Sequence, residues 1–396
     1  MTSTRKTKPS PGEALAEMTP IIRGLLAEST DNEDRPFQTV ILKSLTHAEA
    51  VRFADTPAGA AAGYPEPLIK GPNPPLYFQP LIADAAQYGE HLPKEFVAYK
   101  DKHHAKPQIV CVKGAGILYV ERQYNDSMLP LKNKVALVTG SAGAIGYGVC
   151  RGLLESGAFL AASDLAGERL NELTAELNAL APGRIIGVPI DVTDKSSIAA
   201  GIRTVAGAFG GIDIVVINAG IAMAAHLRDI DTDEFRLLEK VNVEGTLFTL
   251  QAVADHMILQ NTGGDIVLMS SKNVPSPGAG FGGYSATKAA AHQLGRLASI
   301  ELAPHDIRVN MVAPDAVFSE GKFKSGLWEK VGPGRMQARG LDQAGLQDYY
   351  KNRNLLKARV TGKHVANAVL FFVTRQTPTT GATIPVDGGL PDATPR

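Results

Sequence analysis

Only two cysteines, Cys111 and Cys150, occur in 396 residues. Two thiols make no disulfide framework, and a reducing compartment fits such sparse usage. Neither sign of charge is in excess, since Lys+Arg and Asp+Glu both number 40. A dedicated nucleic-acid binder would show a basic surplus. No apolar run approaches the ~20 residues that a spanning helix needs. The basic start MTSTRKTKPSPGEALAEM leads into no apolar stretch of signal-peptide length. The expectation is a cytoplasmic protein with neither membrane nor nucleic acid as partner. Histidines are few and do not gather with carboxylates. His103 and His104 are adjacent, and neighbours on a helix face different ways. They read as a solvated helix end, and no metal site is expected.

What is present suits a globular protein with at least one large core: 44% of residues are hydrophobic and 20% charged. The length predicts one domain with an extension, or two domains. Residues 1–130 and 131–396 read differently. In the first part, residues 1–12 are a polar tail expected to be disordered. A helical pattern covers 13–27, and a second covers 95–103. Strand-like runs cover 39–42, 76–78, 108–112 and 116–120, and the Pro/Gly-rich stretch 64–75 is expected to be loop. Gly114-Ala115-Gly116 reads as a tight hairpin turn. This small, irregular α/β extension carries few cues to function.

The second part alternates regularly. Apolar strand patterns at 135–139, 159–163, 185–190 and 214–218 are separated by helical patterns at 145–156, 168–180 and 195–209. Such alternation predicts a Rossmann-type doubly wound parallel sheet with helices on both faces. The first strand runs into Gly140-Ser141-Ala142-Gly143-Ala144-Ile145-Gly146. A glycine turn lets the backbone approach a pyrophosphate, and the helix after it offers unpaired N–H groups. Asp164 closes the second strand, 24 positions after Gly140. A carboxylate there accepts from ribose hydroxyls and repels a 2′-phosphate, favouring NAD(H) over NADP(H). Its other reading is an N-cap for the helix that follows. Asp191-Val192, ending the third strand, can meet the adenine. Asn218-Ala219-Gly220, ending the fourth, leaves room for the cofactor against the backbone.

The strongest chemical signal is Tyr284-Ser285-Ala286-Thr287-Lys288. Residues at i and i+4 of a helix share a face. An ammonium beside a phenol stabilises the phenolate and lowers its pKa, which suits a general acid or base. Ser271 lies 13 positions before Tyr284, at the end of a strand, where its hydroxyl can hold a substrate oxygen. Asn242, in VNVEG, is a polar residue in a helical segment and can hold a water that links Lys288 to solvent.

Together these motifs resemble the short-chain dehydrogenase/reductase superfamily over about residues 131–389. The resemblance implies a tetrad of Asn242, Ser271, Tyr284 and Lys288, and a homodimer or homotetramer. It also implies cofactor contacts from Tyr284, Lys288, Pro314, Asp315 and Val317. Two departures stand out: Ala144 replaces a glycine of the phosphate turn, and Asp315 replaces the glycine of a Pro-Gly pair. Asp315 then reads either as a substrate contact or as a cap for the next segment. A narrower likeness rests on Ser271-Lys272-Asn273, Pro314-Asp315-Ala316-Val317, Tyr349-Tyr350, Arg353, Leu355-Leu356-Lys357 and Thr394-Pro395-Arg396. These are similar to the dehydrogenase half of bifunctional rhamnulose-phosphate aldolase/alcohol dehydrogenases, which is assigned lactaldehyde. Residues 1–130, with QIVCVKGAG, then look like a truncated aldolase half without its zinc-binding histidines, and aldolase activity is not expected.

The implied reaction is reversible hydride transfer between NAD(H) and a secondary alcohol, hydroxyaldehyde or polyol. Tyr284 moves the proton, Ser271 positions the oxygen, and Lys288 binds the nicotinamide ribose. Residues 318–346 fall where this fold carries a substrate lid. Their Lys322, Lys324, Lys330, Arg335 and Arg339 read as a solvated mobile loop, with an anionic substrate as the alternative. Lys272, Asp315, Phe318 and Trp328 are candidate substrate contacts. The competing reading of the whole chain is a nucleotide-binding scaffold or redox-sensing module with vestigial catalysis.

Overall fold

The first helix begins earlier than its apolar pattern suggests, because Ser10 and Glu13 form a reciprocal capping box. The structure, a computed structural model, describes residues 10–56, 73–80, 85–121, 129–319 and 321–391. Residues 1–9 of the expected tail, most of the expected loop 64–75 and the terminal 394–396 lie outside the described residues. Two compact units result. One holds the described residues up to 121 together with Ile202–Ile212 and His256–Thr262, and the other holds the rest.

In the first unit α1 (Pro11–Leu26) corrects the expectation that residues 10–12 belong to a disordered tail. A short antiparallel pair follows, β1 (Glu28–Ser29) with β2 (Phe37–Gln38). Next come β3 (Leu42–Leu45), α2 (Ala48–Asp55), β4 (Leu76–Phe78), α3 (Ala85–His103), β5 (Ile109–Val112) and β6 (Gly116–Val120). The strand expected at 39–42 is therefore displaced to β3. The helix expected at 95–103 runs ten residues longer, through Pro93, because Tyr88 and Leu92 are buried as firmly as Phe96. Four strands form a mixed sheet in the order β3-β6-β5-β4. Alternation sorts their side chains between two faces. Val110, Val112 and Leu118 meet Leu15, Met18, Ile22 and Leu92, while Ile109, Cys111 and Ile117 meet Ala50 and Ala54. Arg23 is fully buried, donating to Val40 O at 2.7 Å and to Gln260 Oε1 at 3.2 Å.

The second unit is built on β7 (Val135–Val138), α4 (Ala144–Glu155), β8 (Phe159–Asp164), α5 (Glu168–Leu180), β9 (Ile185–Pro189), the first part of α6 (Lys195–Phe209) and β10 (Ile214–Ile217). It continues with α7 (Thr232–Glu239), a π-helical turn (Lys240–Glu244), the first part of α8 (Gly245–Gln260), β11 (Gly264–Met269), α9 (Gly282–Glu301) and β12 (Ile307–Pro314). Then follow α10 (Gly326–Arg339), α11 (Gln343–Arg353), α12 (Gly362–Val373) and β13 (Thr383–Val386). Seven parallel strands run in the order β13-β12-β11-β10-β7-β8-β9. All four residues of β7 and of β10 are buried, as a sheet covered on both faces requires. Strand order reverses between β7 and β10, and the crevice beyond the carboxyl ends of such strands is where open α/β sheets bind ligands. Among the described residues no helix is long and apolar enough to cross a membrane.

Candidate active site

A cleft of about 670 Å³ opens at that carboxyl edge. Its floor is the turn after β7. Gly140 has φ +63°, and a Cβ there would stand 2.6 Å from Ala219 Cα, so only glycine lets the chain turn against β10. Gly146 is equally confined, its Cβ position lying 2.4 Å from Gly140 O. Gly143 is the N-cap of α4 and makes no side-chain cap bond, so the helix presents its first N–H groups to the cleft. Ala144 takes the first helical position with 5% exposure, and Ile145 lines the cleft beside it. Ser141 turns away: its Oγ donates to Ser163 O at 2.9 Å, tying β7 to β8.

Asp164 ends β8 on the cleft wall, its Oδ2 accepting from Ala142 N and its Oδ1 from Leu165 N, both at 2.9 Å. The N-cap of α5 is Gly167, which removes the capping alternative for Asp164. Arg169, which the sequence did not single out, lines the same wall and donates to Ala142 O at 3.1 Å. Asp191 closes a local turn by accepting from Thr193 N at 2.9 Å, and Val192 is buried beside it. Asn218 Nδ2 donates to Thr139 O at 3.0 Å and Gly140 O at 2.7 Å, stitching the two strands at the point of reversal.

Tyr284, Lys288 and Ser271 line the cleft together. Lys288 Nζ donates to Met269 O at 2.8 Å and stands 6.0 Å from the centre of the Tyr284 ring. Ser271 Oγ accepts from Asn273 N at 3.1 Å. Asn242 does not line the cleft. It sits in the π-helical turn, accepts from Ile221 N at 2.9 Å, and donates to Ile221 O at 2.9 Å and Thr287 Oγ1 at 3.1 Å. Single-turn π-helices mark functional sites often. Asn242 Oδ1 and Lys288 Nζ converge on Gly220, 3.1 Å and 3.4 Å from where its Cβ would stand.

The electrostatics differ from the expectation that the ammonium lowers the phenol's pKa. Burial pushes the Tyr284 phenol up to about 12, helped by the Asp315 charge and opposed by the hydrogen bond with Ser271. Burial also brings Lys288 down to about 8. Desolvation penalises both charged forms and outweighs their mutual attraction here. A reaction that needs the phenolate therefore speeds up with pH. For the hydride transfer that the sequence resemblance implies, alcohol oxidation should rise about tenfold per pH unit from 6 to 8 and flatten above 8 as Lys288 loses its proton. Carbonyl reduction, which needs the phenol protonated, should stay flat to pH 8. Initial rates in both directions across pH 6–10 check this, and an oxidation rate independent of pH would remove Tyr284 as the titrating group.

Beyond β12 the chain departs from its sequence reading. Asp315 caps nothing: Arg353 Nη2 reaches both of its carboxylate oxygens at 2.5 Å, and the carboxylate is only 8% exposed. Pro314 and Val317 flank it in the cleft wall. The expected mobile loop is largely the helix pair α10 and α11. Trp328 anchors the pair by stacking on Phe318 with ring centres 5.7 Å apart, by an edge contact to Tyr350 at 4.7 Å, and by donating from Nε1 to Val317 O at 2.9 Å. Phe318 lies behind this cluster and does not line the cleft, whereas Trp328 does. Lys272 lines the cleft and donates to Ser276 O at 3.2 Å.

A parallel sheet with a glycine turn at its reversal point and a Tyr–Lys helix across the cleft defines a dinucleotide-dependent oxidoreductase fold. The chain belongs to the short chain dehydrogenase family, whose match covers residues 134–329, and that family works with a nicotinamide dinucleotide. It is 37% identical over 190 residues to the sorbitol dehydrogenase of Cereibacter sphaeroides, covering 48% of this chain and 73% of that one. It is 36% identical over 267 residues to the uncharacterized oxidoreductase YuxG of Bacillus subtilis (strain 168), covering 66% of this chain. The match spans 38% of YuxG's own length. Among solved structures, an NAD⁺-bound xylitol dehydrogenase is 26% identical with a TM-score of 0.58, covering 65% of this chain and 99% of that one.

Proposed function

We propose that the chain interconverts a small secondary alcohol, of polyol or hydroxyaldehyde type, and its carbonyl compound with NAD(H). The observation that carries the reading is the convergence of Tyr284, Ser271 and Lys288 on one cleft whose floor is the uncapped start of α4. Those residues fit a dinucleotide: a turn that only glycine can make, free helix N–H groups for a pyrophosphate, and a carboxylate at the end of β8 for the ribose. When bound, the dinucleotide supplies or accepts the hydride. Ser271 holds the substrate oxygen, and Tyr284 takes the alcohol proton or returns it to the carbonyl oxygen. Lys288 holds the ribose and stabilises the phenolate, while Asn242 fixes the loop at Ile221 beside it. The polyol class is supported by the likeness to sorbitol and xylitol dehydrogenases.

We infer further, from the likeness of Ser271-Lys272-Asn273 and Pro314-Asp315-Ala316-Val317 to the bifunctional aldolase/dehydrogenase subfamily, that residues 131–396 are the dehydrogenase portion of that type. Residues 1–130 would then be its reduced aldolase half. Absorbance at 340 nm with a panel of polyols, diols and hydroxyaldehydes tests the enzyme reading. Saturable NADH binding with no turnover on any of them would leave a scaffold.

Preference for NAD(H) rests on Asp164. In Asp164→Asn the repulsion of a 2′-phosphate disappears while the side chain keeps its size, and Arg169 stands on the same wall to receive the phosphate. Charged hydrogen bonds contribute ~1.5–3 kcal/mol. The Kd for NADH should rise about tenfold or more while that for NADPH falls, as read by cofactor fluorescence. An unchanged ratio would move the discrimination elsewhere.

A further inference from the structure

The cleft is far more basic than the chain. Seven of its lining residues are cationic and three anionic, while the sequence as a whole carries no net charge. Most of the cations are engaged. Lys288 donates to Met269 O, Lys330 faces Glu234 at 3.6 Å, and Arg353 holds Asp315. Arg335 and Arg339 are different. Arg335 lies over the Phe281 ring with its guanidinium carbon 4.3 Å from the ring centre, and Arg339 lies over Tyr349 at 4.8 Å. Among the described residues neither has a carboxylate partner. Stacking on an aromatic face fixes the guanidinium plane and leaves its N–H edge free to fork onto an oxyanion. Phe281 in turn packs edge-on against Tyr284 with ring centres 6.3 Å apart, so Arg335 is one aromatic ring away from the phenol that moves the proton.

We propose that α10 presents Arg335 and Arg339 as an anion-recognising pair at the substrate end of the cleft, so that the preferred substrate is a hydroxy compound bearing a phosphate or a carboxylate. The inference rests on the oxidoreductase reading and narrows its substrate class. The two arginines are four positions apart on α10 and so share one face. The helix is held against the site by Trp328, the sole tryptophan of the chain.

That tryptophan gives a readout that needs no turnover. With NADH saturating, Trp328 fluorescence is titrated with glycerol 3-phosphate, glycerate, glycerol and inorganic phosphate. The anions should bind at least about tenfold more tightly than glycerol, and Arg335→Gln/Arg339→Gln should weaken them about 10–100-fold while leaving glycerol and NADH unaffected. Preference for glycerol 3-phosphate over glycerate assigns a phosphate, and the reverse assigns a carboxylate. A parallel titration with NADPH in place of NADH shows whether the pair reads the cofactor's 2′-phosphate instead, which would overturn the substrate assignment. Equal binding of glycerol and the anions, or anion binding untouched by the double substitution, would also overturn it. Tyr284→Phe run alongside keeps the two readings apart: it should abolish turnover and retain anion binding, so a failure of catalysis alone leaves the anion site standing.

Discussion

Tyr284→Phe should lower kcat for alcohol oxidation by about 10²–10⁴-fold with NADH affinity unchanged. The substitution removes one oxygen and nothing else of consequence to the fold. The ring keeps its edge contact with Phe281, and the helix that carries it is fixed by buried neighbours, Gly283, Ser285, Thr287 and Lys288. The hydrogen bond between the phenol and Ser271 disappears, and with it the proton-exchanging group of the proposed mechanism. Because the phenol is pushed up to about 12, the wild type holds little phenolate at neutral pH, and the variant loses the pH dependence of oxidation along with the rate. Steady-state absorbance at 340 nm and fluorescence titration with NADH separate the two effects. Turnover within a factor of ten of wild type, or a rate that still climbs with pH, would show that another group carries the proton.

The parallel sheet was legible because strands buried on both faces read as unbroken apolar runs, as in Val135–Val138 and Ile214–Ile217. The Tyr284–Lys288 pair was legible because helix geometry fixes which residues four apart share a face. What stayed hidden depends on contacts between distant positions. Asp315 and Arg353 are 38 positions apart, and nothing local marks them as partners. The helix α10 contains Gly332, Pro333 and Gly334 in its middle, a composition that argues for loop. Packing of Trp328 against Phe318 and Tyr350 overrides it. The π-helical turn sets the Asn242 amide onto the backbone of Ile221, a placement that helical periodicity does not foretell. In the extension the S-P-G-E capping signature was present in the sequence, yet the polar residues before it hid the start of α1.

Arg375→Met should cost about 3–5 kcal/mol of stability, the range for removing one partner of a buried ion pair. Arg375 has a side chain only 8% exposed and ties together the lower ends of two strands. It donates to Asp265 Oδ2 at 2.9 Å, to Asp306 Oδ2 at 2.8 Å, and to the carbonyls of Gly264 at 3.0 Å and Asp306 at 3.1 Å. Asp265, at the start of β11, is itself buried, and burial raises its pKa even with the guanidinium in place. Without Arg375 the carboxylate loses its hydrogen-bonded countercharge in a dry setting and keeps only the weaker pull of Lys134 and Arg308, so protonation is its cheapest escape. A carboxyl whose folded pKa exceeds its unfolded one binds more protons when folded, so it favours the folded state at low pH and loses that contribution as pH rises through the folded value. The gap between variant and wild type should thus be widest near pH 8 and narrow towards pH 5. Thermal melts across that window should show a deficit on the order of 10 °C at the upper end. Asp265→Asn added to Arg375→Met should recover part of it and flatten the pH dependence, since the uncompensated charge is then gone. A single variant that melts within about 2 °C of wild type at pH 8, or a deficit that grows on acidification, would mean that the pair is solvated enough to be dispensable and that the β11–β12 edge is held by its backbone ladder and apolar packing alone.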